Sequence, residues 1–75
     1  MSSKYKKELA LRLNQLRGEK KVTEFSKLLG VGNSTVWYYV SGYRIPPADF
    51  LALVVKKLNV DGHWLLTGVG DDPYL

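Results

Sequence analysis

The chain has 75 residues, which makes one small domain and leaves no room for a second core. Hydrophobic residues are 45% of it, enough for a compact fold and too many for wholesale disorder. There is no cysteine, which excludes disulfide staples, thiolate zinc sites and thiol nucleophiles.

Lys and Arg number 11 against 7 Asp and Glu, a net charge of +4, and the isoelectric point is near 9.5. The first 21 residues hold seven bases (Lys4, Lys6, Lys7, Arg12, Arg17, Lys20, Lys21) against Glu8 and Glu19. Residues 61–75 hold Asp61, Asp71 and Asp72 with no Lys or Arg. A basic front and an acidic tail fit a face presented to a polyanion; they also fit lysines that keep a small domain soluble. The longest wholly apolar stretch, residues 50–55, is far too short for a membrane span. The amino terminus leads into charge rather than a signal-peptide core, so a cytoplasmic location is the expectation.

In chain order, every long segment carries the helical period. Tyr5, Leu9, Leu13 and Leu16 form one stripe, and Gly18 supplies a stop. Val22, Phe25, Ser26 and Leu29 share one side of a second helix, which Gly30 interrupts. A third helix is predicted over about 33–41, ending at Gly42. Pro46-Pro47 and Asp49 mark the start of a fourth, which carries Leu51, Val54, Val55 and Leu58 inward and its two lysines near the C-terminal end. Asp61 caps a short fifth helix through Trp64, Leu65 and Leu66, closed by Gly68. The reading is an all-α domain of five short helices over 1–70, with 71–75 as a tail or linker stub.

Residues 22–42 form a short helix, a glycine turn and a second short helix. Such a pair needs a small residue where the helices approach, supplied by Ser26, and a residue tolerant of positive φ at the turn, supplied by Gly30. With Val36 facing inward, Val40 and Tyr39 lie within about 60° of it. Ser34, Tyr38 and Ser41 then project outward, with Trp37 and Thr35 on the flanks. That face is polar and aromatic without charge, which suits probing base edges better than solvation alone.

Leu29-Gly30-Val31-Gly32-Asn33-Ser34-Thr35-Val36, followed by Ser41-Gly42-Tyr43-Arg44-Ile45-Pro46, resembles the helix-turn-helix of lambda-repressor-like (Xre-type) phage and bacterial regulators. Trp64-Leu65-Leu66-Thr67-Gly68 with Gly70 is similar to the close of the DNA-binding domain in phage repressors. The resemblance runs from about Leu9 to Gly70. It departs at Val22, where many members carry Gln, and at Ser26, where Ala is commoner.

The resemblance implies a compact five-helix fold and a sequence-specific regulator of phage or prophage repressor type that reads double-stranded DNA in the major groove with helix 33–41. Asn33 and Ser34 match base-reading positions, and Tyr38 matches an exposed position one turn on. Arg44 and Tyr43 after the reading helix, and Arg17, Lys20 and Lys21 before the motif, are phosphate candidates, with Thr35 and Ser41 as hydroxyl donors. Trp37 either reaches sugar or a thymine methyl, or packs over the neighbouring helix; packing is the expectation for so large a ring.

The resemblance also implies dimers on a palindromic operator. Phe50 and Leu53 lie beside the inward stripe of the fourth helix, and with Trp64 and Leu66 they are candidates for a weak homodimer interface. A fully intramolecular core is the other reading of the same residues. His63 is the only histidine and has no partner at metal-ligand spacing. No catalytic constellation, cofactor, small-molecule substrate or membrane-binding face is expected. Two other functions share the pattern: a DNA-binding antitoxin, and a helical protein-interaction module that has lost DNA binding.

Overall fold

The apolar stripe of the first helix faces a core that all five helices share. In a computed structural model that describes residues 3–75, the elements are α1 (Ser3–Arg17), α2 (Val22–Leu29), α3 (Asn33–Val40), α4 (Ala48–Leu58) and α5 (Gly62–Thr67). Leu9, Leu13 and Leu16 of α1 are buried against Phe25 and Leu29 of α2, Val36 and Val40 of α3, and Leu65 of α5 in one cluster. Tyr5 and Val22 sit at its margin, half-buried. α1 packs on α3 and α5, α2 on α3 and α4, and α4 on α5.

The helix ends follow from particular residues. At the end of α2, Gly30 takes φ +73°, its N–H reaches the Lys27 carbonyl at 3.2 Å, and the Val31 N–H reaches that of Ser26 at 3.0 Å. This reciprocal pair closes the helix with a left-handed residue that only glycine adopts without strain. α4 ends on Asn59 at φ +55°, a position the sequence reading left unmarked; asparagine is the side chain that best tolerates it after glycine. Asp61 caps α5 as expected, its Oδ1 accepting the His63 N–H at 3.0 Å.

α3 stops at Val40, one residue short of the predicted 33–41, with Ser41 as the cap residue before Gly42. On α4 the buried residues are Phe50, Leu51 and Val54, whereas Val55 and Leu58 are half-buried. The expectation that Phe50 lies beside the inward stripe is therefore corrected. α4 is clasped between α2 and α5, so its inward arc is wide, and the Phe50 ring meets Tyr39 of α3 with centroids 4.6 Å apart. Trp64 is likewise buried in the core.

After α5 the chain returns. Val60 and Tyr74 form an isolated antiparallel bridge, the Asp61 N–H reaches the Pro73 carbonyl at 2.7 Å, and the Leu75 N–H reaches that of Asn59 at 3.0 Å. Among the described residues no helix is long and apolar enough to cross a membrane.

Two stability outcomes follow. Phe25 is fully buried, so Phe25→Ala should destabilise the domain by about 3–5 kcal/mol in denaturant unfolding. A Cβ on Gly30 would meet nothing within 4 Å, so Gly30→Ala should cost only the left-handed penalty, about 1–2 kcal/mol, and Gly30→Asn less.

Candidate nucleic-acid interface

α3 is an eight-residue helix with neither an acid in its first turn nor a base in its last. Val36 and Val40 hold it to the core while Asn33, Ser34, Thr35 and Trp37 are exposed. Asn33 and Ser34 stand together at its amino end. The N-cap residues of α2 and α3, Lys21 and Gly32, make no side-chain cap bond, so the amides of both first turns are available to an anion. Ser26, the small residue between the two helices, is buried and donates its hydroxyl to the Thr23 carbonyl at 2.9 Å. It thereby meets its own polar need without reaching into α3.

The opposite end of α3 is held by α1. Asn14 Nδ2 donates to the Val40 carbonyl at 2.7 Å and to Ala10 of its own helix at 2.9 Å. Its Oδ1 accepts from Arg17 Nε at 3.1 Å and Nη2 at 2.9 Å. All four bonding positions of this amide are used. Arg17 also donates through Nη1 to the Lys20 carbonyl at 2.8 Å. The expectation that Arg17 serves phosphate is thus met by a competing role, since its guanidinium already bridges α1 to the loop before α2. Lys20 and Lys21 are exposed.

α1 treats α5 in the same way. Arg12 Nε donates to the Leu65 carbonyl at 2.8 Å, and the Tyr5 hydroxyl donates to that of Leu66 at 3.0 Å. Asn14, Arg12 and Tyr5 were not marked as polar anchors by sequence reasoning. Asn14 carried a signal, because asparagine is a poor choice inside a helix unless its side chain is engaged elsewhere.

Past α3, Gly42 at φ +77° turns the chain so that the Tyr43 and Arg44 N–H groups both reach the Tyr38 carbonyl, at 3.0 and 3.1 Å. Ser41, exposed, donates its hydroxyl to the same carbonyl at 3.3 Å. This folds Tyr43 and Arg44 over Tyr38: the two rings are 5.6 Å apart, and the Arg44 guanidinium stands 4.3 Å from the Tyr38 centroid. Trp37 completes the cluster, 5.5 Å from Tyr38 and 6.3 Å from Tyr43.

The exposures of two aromatics differ from expectation. Trp37 is 50% exposed, its ring set against Tyr38 and Tyr43. Tyr38, expected at the centre of the exposed face, is half-buried beneath its neighbours. Its phenol ring serves as the seat on which Arg44 and Tyr43 rest.

Of the four dimer candidates, Phe50 and Trp64 are buried within the chain and Leu53 packs partly against the core. Leu66 is 46% exposed and borders an apolar groove between α4 and α5 lined by Leu51, Ala52 and Val55. His63 is exposed, and among the described residues no three metal-ligating side chains come together.

The helix-turn-helix family model, of the Xre or lambda-repressor-like type, matches residues 13–65. The chain belongs to the helix-turn-helix family. The matched stretch starts inside α1 and ends inside α5, so it takes in the α2–turn–α3 unit with the elements that support it. Membership supports a DNA-binding helix-turn-helix regulator, with double-stranded DNA as its partner. Neither a curated protein nor a solved structure matches the chain.

Removing the Asn14 amide leaves the Val40 carbonyl and the Arg17 guanidinium without their partner. Asn14→Ala should lower stability by about 1–3 kcal/mol in thermal or denaturant unfolding. Asn14→Gln should fail to restore it, because the longer side chain displaces the amide from the carbonyl.

Proposed function

We propose that the protein is a sequence-specific transcriptional repressor of phage or prophage type that lays α3 in the DNA major groove. The observation that carries this reading is the exposed, uncharged amino end of α3, where Asn33 and Ser34 stand beside amides that no side chain caps. Asn pairs bidentately with adenine and Ser serves either base. Lys20, Lys21 and Arg44, with the hydroxyls of Thr35, Ser41 and Tyr43, supply contacts to the phosphate backbone. Arg17 contributes mainly by holding the loop that carries the two lysines.

The operator is a palindrome bound by a weak homodimer. Leu66, at the rim of the α4–α5 groove, and Leu53 are the apolar positions that remain for such a contact. Phe50 and Trp64 are both buried within the chain and contribute to the core rather than to the contact.

Selection of binding duplexes from a random pool at physiological salt tests the reading. Enrichment of a palindrome with half-site centres about 10–10.5 bp apart, or a multiple of that, is the expected result. A lone half-site would remove the dimer and keep the reader. No enrichment would overturn DNA reading and favour the protein-interaction module. On the selected duplex, Asn33→Ala should cost about 1–3 kcal/mol and relax selectivity at one position. Lys21→Ala should weaken all sequences alike and reduce the log–log salt slope by about 1.

A further inference from the structure

Trp37, one turn on from Asn33, and Tyr43, in the turn that follows α3, leave a large apolar surface uncovered, 50% and 63% exposed respectively. Solvation alone does not require two large rings there, and the core does not use them. The cluster is ordered before any ligand arrives: three rings and a guanidinium hold one another at 4.3–6.3 Å, so little side-chain freedom remains to be lost on contact. The ring planes are inclined to one another by 70°, 39° and 32°. That makes a ridged surface of ring edges and faces, unlike the single flat face on which a base stacks.

The chemistry of α3 narrows what such a surface meets. Guanine is read chiefly by Arg or Lys and cytosine by Glu or Asp, and the helix Asn33–Val40 carries none of these. What it offers is an amide suited to adenine, two hydroxyls, and the aromatic ridge. In the major groove the apolar group a base pair presents is the C5-methyl of thymine. Cations stand at the edge of the ridge: Arg44 over Tyr38, and Lys6, whose Nζ lies 3.4 Å from the Tyr43 carbonyl. An apolar ridge edged with positive charge complements a methyl group lying between phosphate backbones.

Building on the proposed DNA reading, we propose that Trp37, braced by Tyr38 and Tyr43, is a specificity-determining residue that reads thymine through its C5-methyl. The half-site is accordingly specified by A·T pairs opposite α3, adenine through Asn33 and thymine through the ridge.

Replacing each thymine of the selected duplex by deoxyuridine, one at a time, removes the methyl and leaves base pairing intact. Titrating the full chain against these duplexes by fluorescence anisotropy should show about a three- to fivefold loss at one or two positions, the size expected for one buried methyl. Trp37→Ala should bind the thymine and deoxyuridine duplexes equally, whereas Lys21→Ala should weaken both and keep their ratio. The wild-type comparison needs no variant, and Tyr43→Ala, at a mostly exposed position, gives a second route to the same readout. A selected duplex on which no deoxyuridine matters would overturn the aromatic reading and leave the DNA reader standing, as would a Trp37→Ala chain that keeps the thymine preference. A pool that yields no preferred duplex would overturn both.

Discussion

The structure depends on one device used twice: polar side chains of α1 donate hydrogen bonds to the carbonyls that end other helices. Asn14 takes the Val40 carbonyl at the end of α3, while Arg12 and Tyr5 take those of Leu65 and Leu66 in α5. The last carbonyls of a helix have no partner within it, and in so small a domain two such ends lie close to the core. Apolar packing brings the helices together but resists sliding and rotation weakly. A directed bond at 2.7 Å fixes where α3 stops and how it is turned. The Arg12 guanidinium also places positive charge at the negative end of the α5 dipole. These bonds join residues 26 to 61 positions apart, so α3 and α5 are each tied to α1 across the chain as well as by their own turns.

The turn after α3 does the complementary work. Gly42 lets two successive amides converge on the Tyr38 carbonyl, and the same geometry stacks Tyr43 and Arg44 on the Tyr38 ring. A helix terminus, an aromatic cluster and the placement of a cation are thus set by a single backbone conformation. Tyr39, one residue on from Tyr38, points the other way and packs on Phe50, which ties α3 to α4. The Trp37-Tyr38-Tyr39 run therefore divides its rings between surface, seat and core.

How much of this was legible in the sequence divides along physical lines. Period and punctuation carry over directly. The stripe Leu9, Leu13, Leu16, the turn at Gly30, the cap at Asp61 and all five helices stand within a residue or so of where periodicity puts them, because each depends on near neighbours in the chain. The all-helical fold and the family follow from their order. Readings that depend on what lies opposite fared less well. Phe50 was placed beside the stripe because a single helix does not disclose that α2 and α5 flank it on both sides. Trp37 is more exposed than expected and Tyr38 less, because a ring's exposure depends on how the chain turns after the helix. Asn14, Arg12 and Tyr5 escaped notice because their partners are backbone carbonyls, which no side-chain pattern advertises.

α3 is fastened at its carboxyl end and left unfinished at its amino end, and α2 also begins without a side-chain cap. Local stability along α3 must therefore slope, with the first-turn amides exchanging their protons most readily and those near Val40 most slowly. The end proposed to meet DNA is the end most given to fraying. An anion docking there would satisfy first-turn amides that α3 leaves open, so part of what would be measured as affinity is the free energy of finishing that helix.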